Sequence, residues 1–118
     1  MSPITREFDK KLLSDPLRFI QDCVKSKRIY WTYHVNMRLR ERTIPRSWIL
    51  SSVERYELIE SYPEDKYMPS YLVWSKTNDL IFHILFGADT EINNVRIVTA
   101  YRPDPDEWAS NMKKRRQR

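Results

Sequence analysis

Apolar positions keep a helical rhythm in the first half of the chain and an alternating one in the second. Leu17, Ile20, Cys23 and Val24 fall on one helix face. Asp15-Pro16 supplies an N-cap and a proline at the first helical position, which predicts a helix running to about Lys27. Residues 1–14 read as an irregular start with a short helical piece around Phe8 to Leu13. Ile29 to Thr32, β-branched and aromatic, predict a brief extended segment. A second helix begins near His34 and stops near Arg42-Thr43. Ile44-Pro45 then forces an extended link, since a residue before proline avoids the helical region. A third helix, from about Arg46 to Arg55, buries Trp48, Ile49 and Val53.

From Glu57 the period changes to two. Glu57 to Tyr62 reads as a strand ended by Pro63, and residues 63–69 as a loop. Ser70 to Lys76 and Leu80 to Phe86 are apolar strands joined by Thr77-Asn78-Asp79, a hairpin signal, with Gly87 closing the second. Val95 to Tyr101 is the fourth strand. Arg102-Pro103-Asp104-Pro105 breaks it, and Asp104 or Asp106 then caps a terminal helix holding Trp108 and Met112. The expected architecture is α+β in a single domain: a helical part at 15–55, a four-stranded antiparallel meander at 56–101, and a C-terminal helix with a basic tail at 102–118. Both faces of the middle strands are apolar. The second face therefore needs a cover, from the first helix, the terminal helix or a second subunit.

A chain of 118 residues with 41% hydrophobic content makes one modest core. No apolar run reaches membrane-spanning length, and the charged N-terminus MSPITREFDKK is unlike a signal peptide, which predicts a cytoplasmic protein. Cys23 is the sole cysteine, and neither a thiolate nor an HExxH metal site is spelled out. Gly87 is the sole glycine, which excludes a glycine-rich nucleotide loop. No cofactor or metal is expected. The net charge of +5 is unevenly spread. Residues 25–46 carry seven Lys/Arg against Glu41 alone, whereas residues 47–112 carry five against eleven acids. An anion would be drawn to the second helix.

That helix carries His34, Arg38 and Arg42 at four-residue steps, a ridge beside the apolar Val35 and Leu39. One imidazole and two guanidiniums so placed could grip a phosphate and move a proton. The ordinary alternative is a cationic face held by carboxylates elsewhere. His83 lies in the apolar strand IFHIL, sharing a face with Ile81 and Leu85. It reads either as a satisfied core histidine or, if the sheet packs on the His34 helix, as a second acid–base group. Thr99 and Tyr101, expected on the face of Val95 and Ile97, could orient a phosphate. The terminal KKRRQR, with Arg115 and Arg116, could contact phosphates or simply solubilise a frayed end.

The blocks HVNMRLRERTIP, LIESYPEDKYMPSYLVW, LIFHILF and VRIVTAYRPDPDEW, in this order, resemble the domain-of-unknown-function 4258 family from about Thr32 to Arg116. That family is in turn distantly similar to BrnT and RelE-like toxins, small α+β ribonucleases grouped with the barnase and EndoU fold. The resemblance matches His34, Arg38 and Arg42 to the helix motif, His83 to the third block, and Thr99 with Tyr101 to the last strand. It also matches Trp108, Arg115 and Arg116 to the terminal helix. Thr43 stands where the family carries glycine, which predicts a different helix end and a different aim for Arg42.

The resulting expectation is a toxin-like, metal-independent endoribonuclease. His34 or His83 would move the proton, Arg38 and Arg42 would stabilise the phosphate, and Thr99 and Tyr101 would orient it. RNA and a cognate antitoxin are the expected partners. The oligomeric state is open, a homodimer included. The alternative is a non-catalytic module in which the same residues serve structure and the basic surface binds RNA, DNA or an acidic protein. Clustering of both histidines and both arginines in one accessible cleft would favour the first reading. Their separation, or burial with satisfied partners, would favour the second.

Overall fold

The computed structural model describes residues 15–117; the expected irregular N-terminus at 1–14 lies outside the described residues. The first helix, α1 (Pro16–Lys25), starts as the sequence requires, with the Asp15 side chain accepting from Arg18 N. It ends in a Schellman turn: Lys27 adopts φ 60, Lys27 N donates to Val24 O and Arg28 N to Cys23 O. Phe19, Ile20, Cys23 and Val24 are buried.

Two residues, Ile29–Tyr30, then form strand β1. Thr32 caps α2 (Tyr33–Glu41) by accepting from Val35 N. The end of α2 corrects the expectation drawn from Thr43. Thr43 itself takes the left-handed conformation at φ 56, and Ile44 N reaches Leu39 O at 2.9 Å. The helix therefore finishes in the geometry a glycine would give, with Leu39 and Ile44 both buried beneath the turn. The third helix is shorter than its periodicity implied: α3 (Arg46–Ser51) gives way to a 3-10 turn at Val53–Arg55. There the Ser52 hydroxyl accepts from the Ser75 hydroxyl at 2.7 Å.

Strands β2 (Glu57–Tyr62), β3 (Ser70–Thr77), β4 (Leu80–Asp89) and β5 (Asn94–Tyr101) follow in a meander. Asn78, at φ 51, makes the tight β3–β4 turn. The sheet is five-stranded and mixed, however, in the order β1-β5-β4-β3-β2, with β1 parallel to β5 through Ile29↔Val95 and Tyr30↔Arg96. A two-residue strand shows no alternation, and its partner lies far along the chain, so the expected four-stranded antiparallel sheet omitted it. Gly87 does not close β4 but continues it. Met68 Sδ lies 2.7 Å from where a Cβ would stand, so glycine makes room for the β2–β3 loop on the strand.

The helices cover one face, where Phe82, Ile84, Phe86, Val73 and Ile97 meet Ile20, Val35, Leu39 and Ile49. The Tyr56 hydroxyl, within this core, donates to Ile49 O at 2.7 Å. The outer face is covered by irregular chain. Pro103 and Pro105 remove two amide donors, Met112 sits at φ 59, and a right-handed helix cannot continue through it. Asp104 O collects Glu107 N and Trp108 N in one turn, after which Ala109 N bonds Lys114 O and Arg116 N bonds Glu107 O. The expected C-terminal helix is therefore a strap that doubles back, with Trp108 bridged to Arg115.

Candidate functional site

Strand β5 links the two places where the expected site residues lie. Beyond Arg96 it has lost its β1 neighbour, and α2 runs beside it. Thr32 at the start of the helix lines a groove with Ile97 and Val98, and Arg42 at its end reaches Thr99 and Ala100. Arg42 Nη1 donates to Thr99 Oγ1 at 3.0 Å and to Ala100 O at 2.8 Å, so this guanidinium seals the open edge of the sheet. Arg102 adds a longer bond to Thr43 O.

A β-bulge sets which way β5 points. Leu85 pairs with Thr99 but Phe86 pairs with Ile97, which leaves Val98 without an opposite residue. The alternation shifts by one there. Val95 and Ile97 face the helices, whereas Thr99 and Tyr101 face outward with their partners Leu85 and His83. The shared face expected from simple alternation is thereby corrected.

His83 is completely buried on this outer face. Its Nε2 lies 2.7 Å from Met112 O, an acceptor only, so the proton belongs on Nε2. Nδ1 is left to accept from the Tyr101 hydroxyl, at a long 3.4 Å. Trp108 and Tyr101 meet the imidazole edge-on, with centroids 4.5 and 5.3 Å away. Burial lowers the His83 pKa below its ordinary value, outweighing the Met112 carbonyl and the Glu60 charge, which raise it. Burial likewise raises the Tyr101 phenol.

Beside this pair lies a cluster of which the sequence reading singled out the tail cations but not Glu57, Glu60 and Tyr62, which engage them. Arg115 grips Glu60 with two bonds, Nε to Oε2 at 2.7 Å and Nη2 to Oε1 at 3.1 Å, and its guanidinium stacks over Trp108. The Tyr62 hydroxyl donates to the same carboxylate. Burial works to raise the Glu60 pKa, but the bonds from Arg115 and Tyr62 and the charge of Arg115 together hold it below the usual glutamate value. Lys113 pairs with Glu57 at 2.9 Å above the Trp74 ring. Glu60 and Tyr62 were detectable only as an alternating Glu-x-Tyr in β2, a pattern common in strands.

The remaining candidates lie elsewhere. His34 and Arg38 are exposed on α2, which packs on the opposite face of the sheet from His83. Neither side chain forms a hydrogen bond or ion pair among the described residues. Arg40 and Tyr33 join Arg46 in lining a groove of about 580 Å³ on the same helix. Arg46 is fixed there, bidentate to Asn36 Oδ1 and stacked over Trp31. Tyr33 is 75% exposed. Arg116 is exposed and donates to Pro105 O within the strap. The two histidines and two arginines thus do not share a cleft: Arg42 and His83 are engaged within the protein, while His34 and Arg38 face solvent. Among the described residues, no group of three His, Cys, Asp or Glu side chains could hold a metal ion, and no helix is long and apolar enough to cross a membrane.

No curated protein and no solved structure matches the chain. A family model does, over residues 31–102, from Trp31 before α2 to Arg102 after β5. The matched span contains His34, Arg38, Arg42, His83, Thr99 and Tyr101, while Trp108, Arg115 and Arg116 of the strap fall outside it. Since that span is more than half of the sequence, the chain belongs to the family described as a domain of unknown function, DUF4258.

Proposed function

We propose that the protein is a binding module for single-stranded RNA, which it takes along the solvent side of α2. One observation carries this reading. Exposed cations without a carboxylate partner among the described residues, Arg38 and Arg40, share a helix with His34 and the open ring of Tyr33, beside the Arg46–Trp31 stack. Interleaved cations and aromatic faces suit a flexible strand, with backbone phosphates on guanidiniums and bases on rings. The tail cannot do the same while Lys113 and Arg115 are held by Glu57 and Glu60.

The test is fluorescence anisotropy of a labelled RNA oligonucleotide in EDTA across a salt series. Arg38→Gln and Arg40→Gln should each lower the magnitude of the log K against log salt slope by about one. Tyr33→Ala should weaken binding about tenfold, one stacked base. Binding absent at low salt, or indifferent to all three substitutions, would sink the proposal.

A second reading, a toxin-like metal-independent endoribonuclease akin to the BrnT and RelE-like proteins, draws support from the outer-face cluster. His83, with its accepting Nδ1 beside Tyr101, would move the proton, and Arg115 would steady the phosphate. A cognate antitoxin would then be the partner that masks this surface. Cleavage of RNA in EDTA that is lost in His83→Ala but kept in His34→Ala would establish it over the binding module.

A further inference from the structure

The strap of residues 104–116 closes on itself before it closes on the sheet. Ala109 N to Lys114 O, Arg116 N to Glu107 O and Arg116 Nε to Pro105 O make it one body, joined to β5 through Arg102-Pro103. Trp108, only 2% exposed, lies against His83, and Met112 O takes the imidazole proton. Two ion pairs also anchor it, Lys113–Glu57 and Arg115–Glu60, whose cationic side chains are 33% and 52% exposed, with Lys113 lying over the Trp74 ring as well. Lys113–Glu57 is open to solvent and screened by salt, whereas Arg115–Glu60, bidentate on a carboxylate only 21% exposed, is the firmer of the two. They also use the cations for which a polyphosphate chain would compete.

We propose that the strap is a latch released by a polyanion. RNA draws Lys113 and Arg115, with the neighbouring Lys114 and Arg116, away from the sheet. Glu57 and Glu60 lose their partners, Trp108 lifts from the imidazole, and His83 opens to solvent beside Tyr101. Release takes the strap's own cations from beside His83 and Tyr101 and leaves the imidazole and the phenol uncovered for proton transfer. The proposal rests on the RNA reading only for the identity of the releasing anion.

The test is carbethoxylation of histidine by diethyl pyrocarbonate, followed residue by residue by mass spectrometry, with exposed His34 as the internal reference. Wild type, the Glu57→Gln/Glu60→Gln double variant and Trp108→Ala are compared with and without a single-stranded RNA oligonucleotide at low salt. In free wild type His83 should react about a hundredfold more slowly than His34. Bound RNA, or the double substitution, should each accelerate His83 about tenfold, and Trp108→Ala should accelerate it further. A His83 rate unchanged in the double variant, or unchanged when anisotropy shows the RNA bound, would overturn the latch. If the oligonucleotide does not bind, it is the RNA reading that falls. The latch is then judged by the same rate with inorganic polyphosphate as the releasing anion.

Discussion

Arg38 and Arg42 stand one turn apart on one ridge of α2, and replacing each by methionine should separate binding from architecture. Arg42 donates two charge-assisted hydrogen bonds, to Thr99 Oγ1 and Ala100 O, at the edge of β5 where β1 has ended. Methionine keeps much of the aliphatic stem and removes both bonds. Each such bond is worth roughly 1.5–3 kcal/mol, but the site is half-buried and water can reach the freed carbonyl, so the net cost should be about 2 kcal/mol. For a domain of this size that corresponds to a fall in Tm of about 8 °C. Arg38→Met removes no such bond and should stay within about 0.5 kcal/mol of wild type. Urea denaturation gives the stability difference and RNA anisotropy the binding difference. Arg42→Met should be unstable but still bind when folded, whereas Arg38→Met should be stable and bind more weakly. Equal stability of the two variants would refute the sealing role of Arg42, and equal loss of binding would return both arginines to one anion site.

Thr43→Gly should stabilise the protein by about 1 kcal/mol, because a β-branched residue at φ 56 carries strain that glycine does not, and calorimetry would show it as a higher Tm. Phe82→Ala should cost about 3–5 kcal/mol, since the ring is fully buried against Trp48 and the helix-side core; a urea midpoint near wild type would contradict that packing. Acidification should weaken the fold through His83. Its folded pKa lies below the ordinary 6.5, so just below pH 6.5 the unfolded chain binds the extra proton and stability falls with pH, by at most about 1.4 kcal/mol per unit. In His83→Gln that slope should vanish, as denaturation from pH 7 to 5 would reveal.

Local signals were readable in the chain wherever a residue and its near neighbours decide the outcome. Asp15-Pro16 starts a helix by chemistry confined to one turn, and the apolar runs of β3 and β4 report burial between two packed sides. The same reasoning failed where a distant segment intervened. The terminal helix was inferred from an aspartate, a tryptophan and a methionine at helical spacing. Trp108 found a better burial on the outer face of the sheet than a solvent-facing helix could offer, and the chain reversed at Met112 to reach it. Thr99 was misassigned to a face because one extra residue, Val98, reverses every side chain after it, and nothing local announces a bulge.

By itself, the sequence determined the class of fold, the cationic character of α2, the placing of a polar ridge beside buried Val35 and Leu39, and the presence of a histidine within an apolar strand. Those properties follow from periodicity, composition and charge along neighbouring residues. Only the tertiary structure decided that β1 joins the sheet, that Arg42 serves the β5 edge while Arg38 faces solvent, and that the basic tail spends its charge on Glu57 and Glu60. These outcomes depend on which surfaces meet across the chain; burial of Trp108 over His83 accompanies the last of them. The separation of His34 from His83 has the same origin: one rides on a helix and the other points from the far side of the sheet that the helix covers.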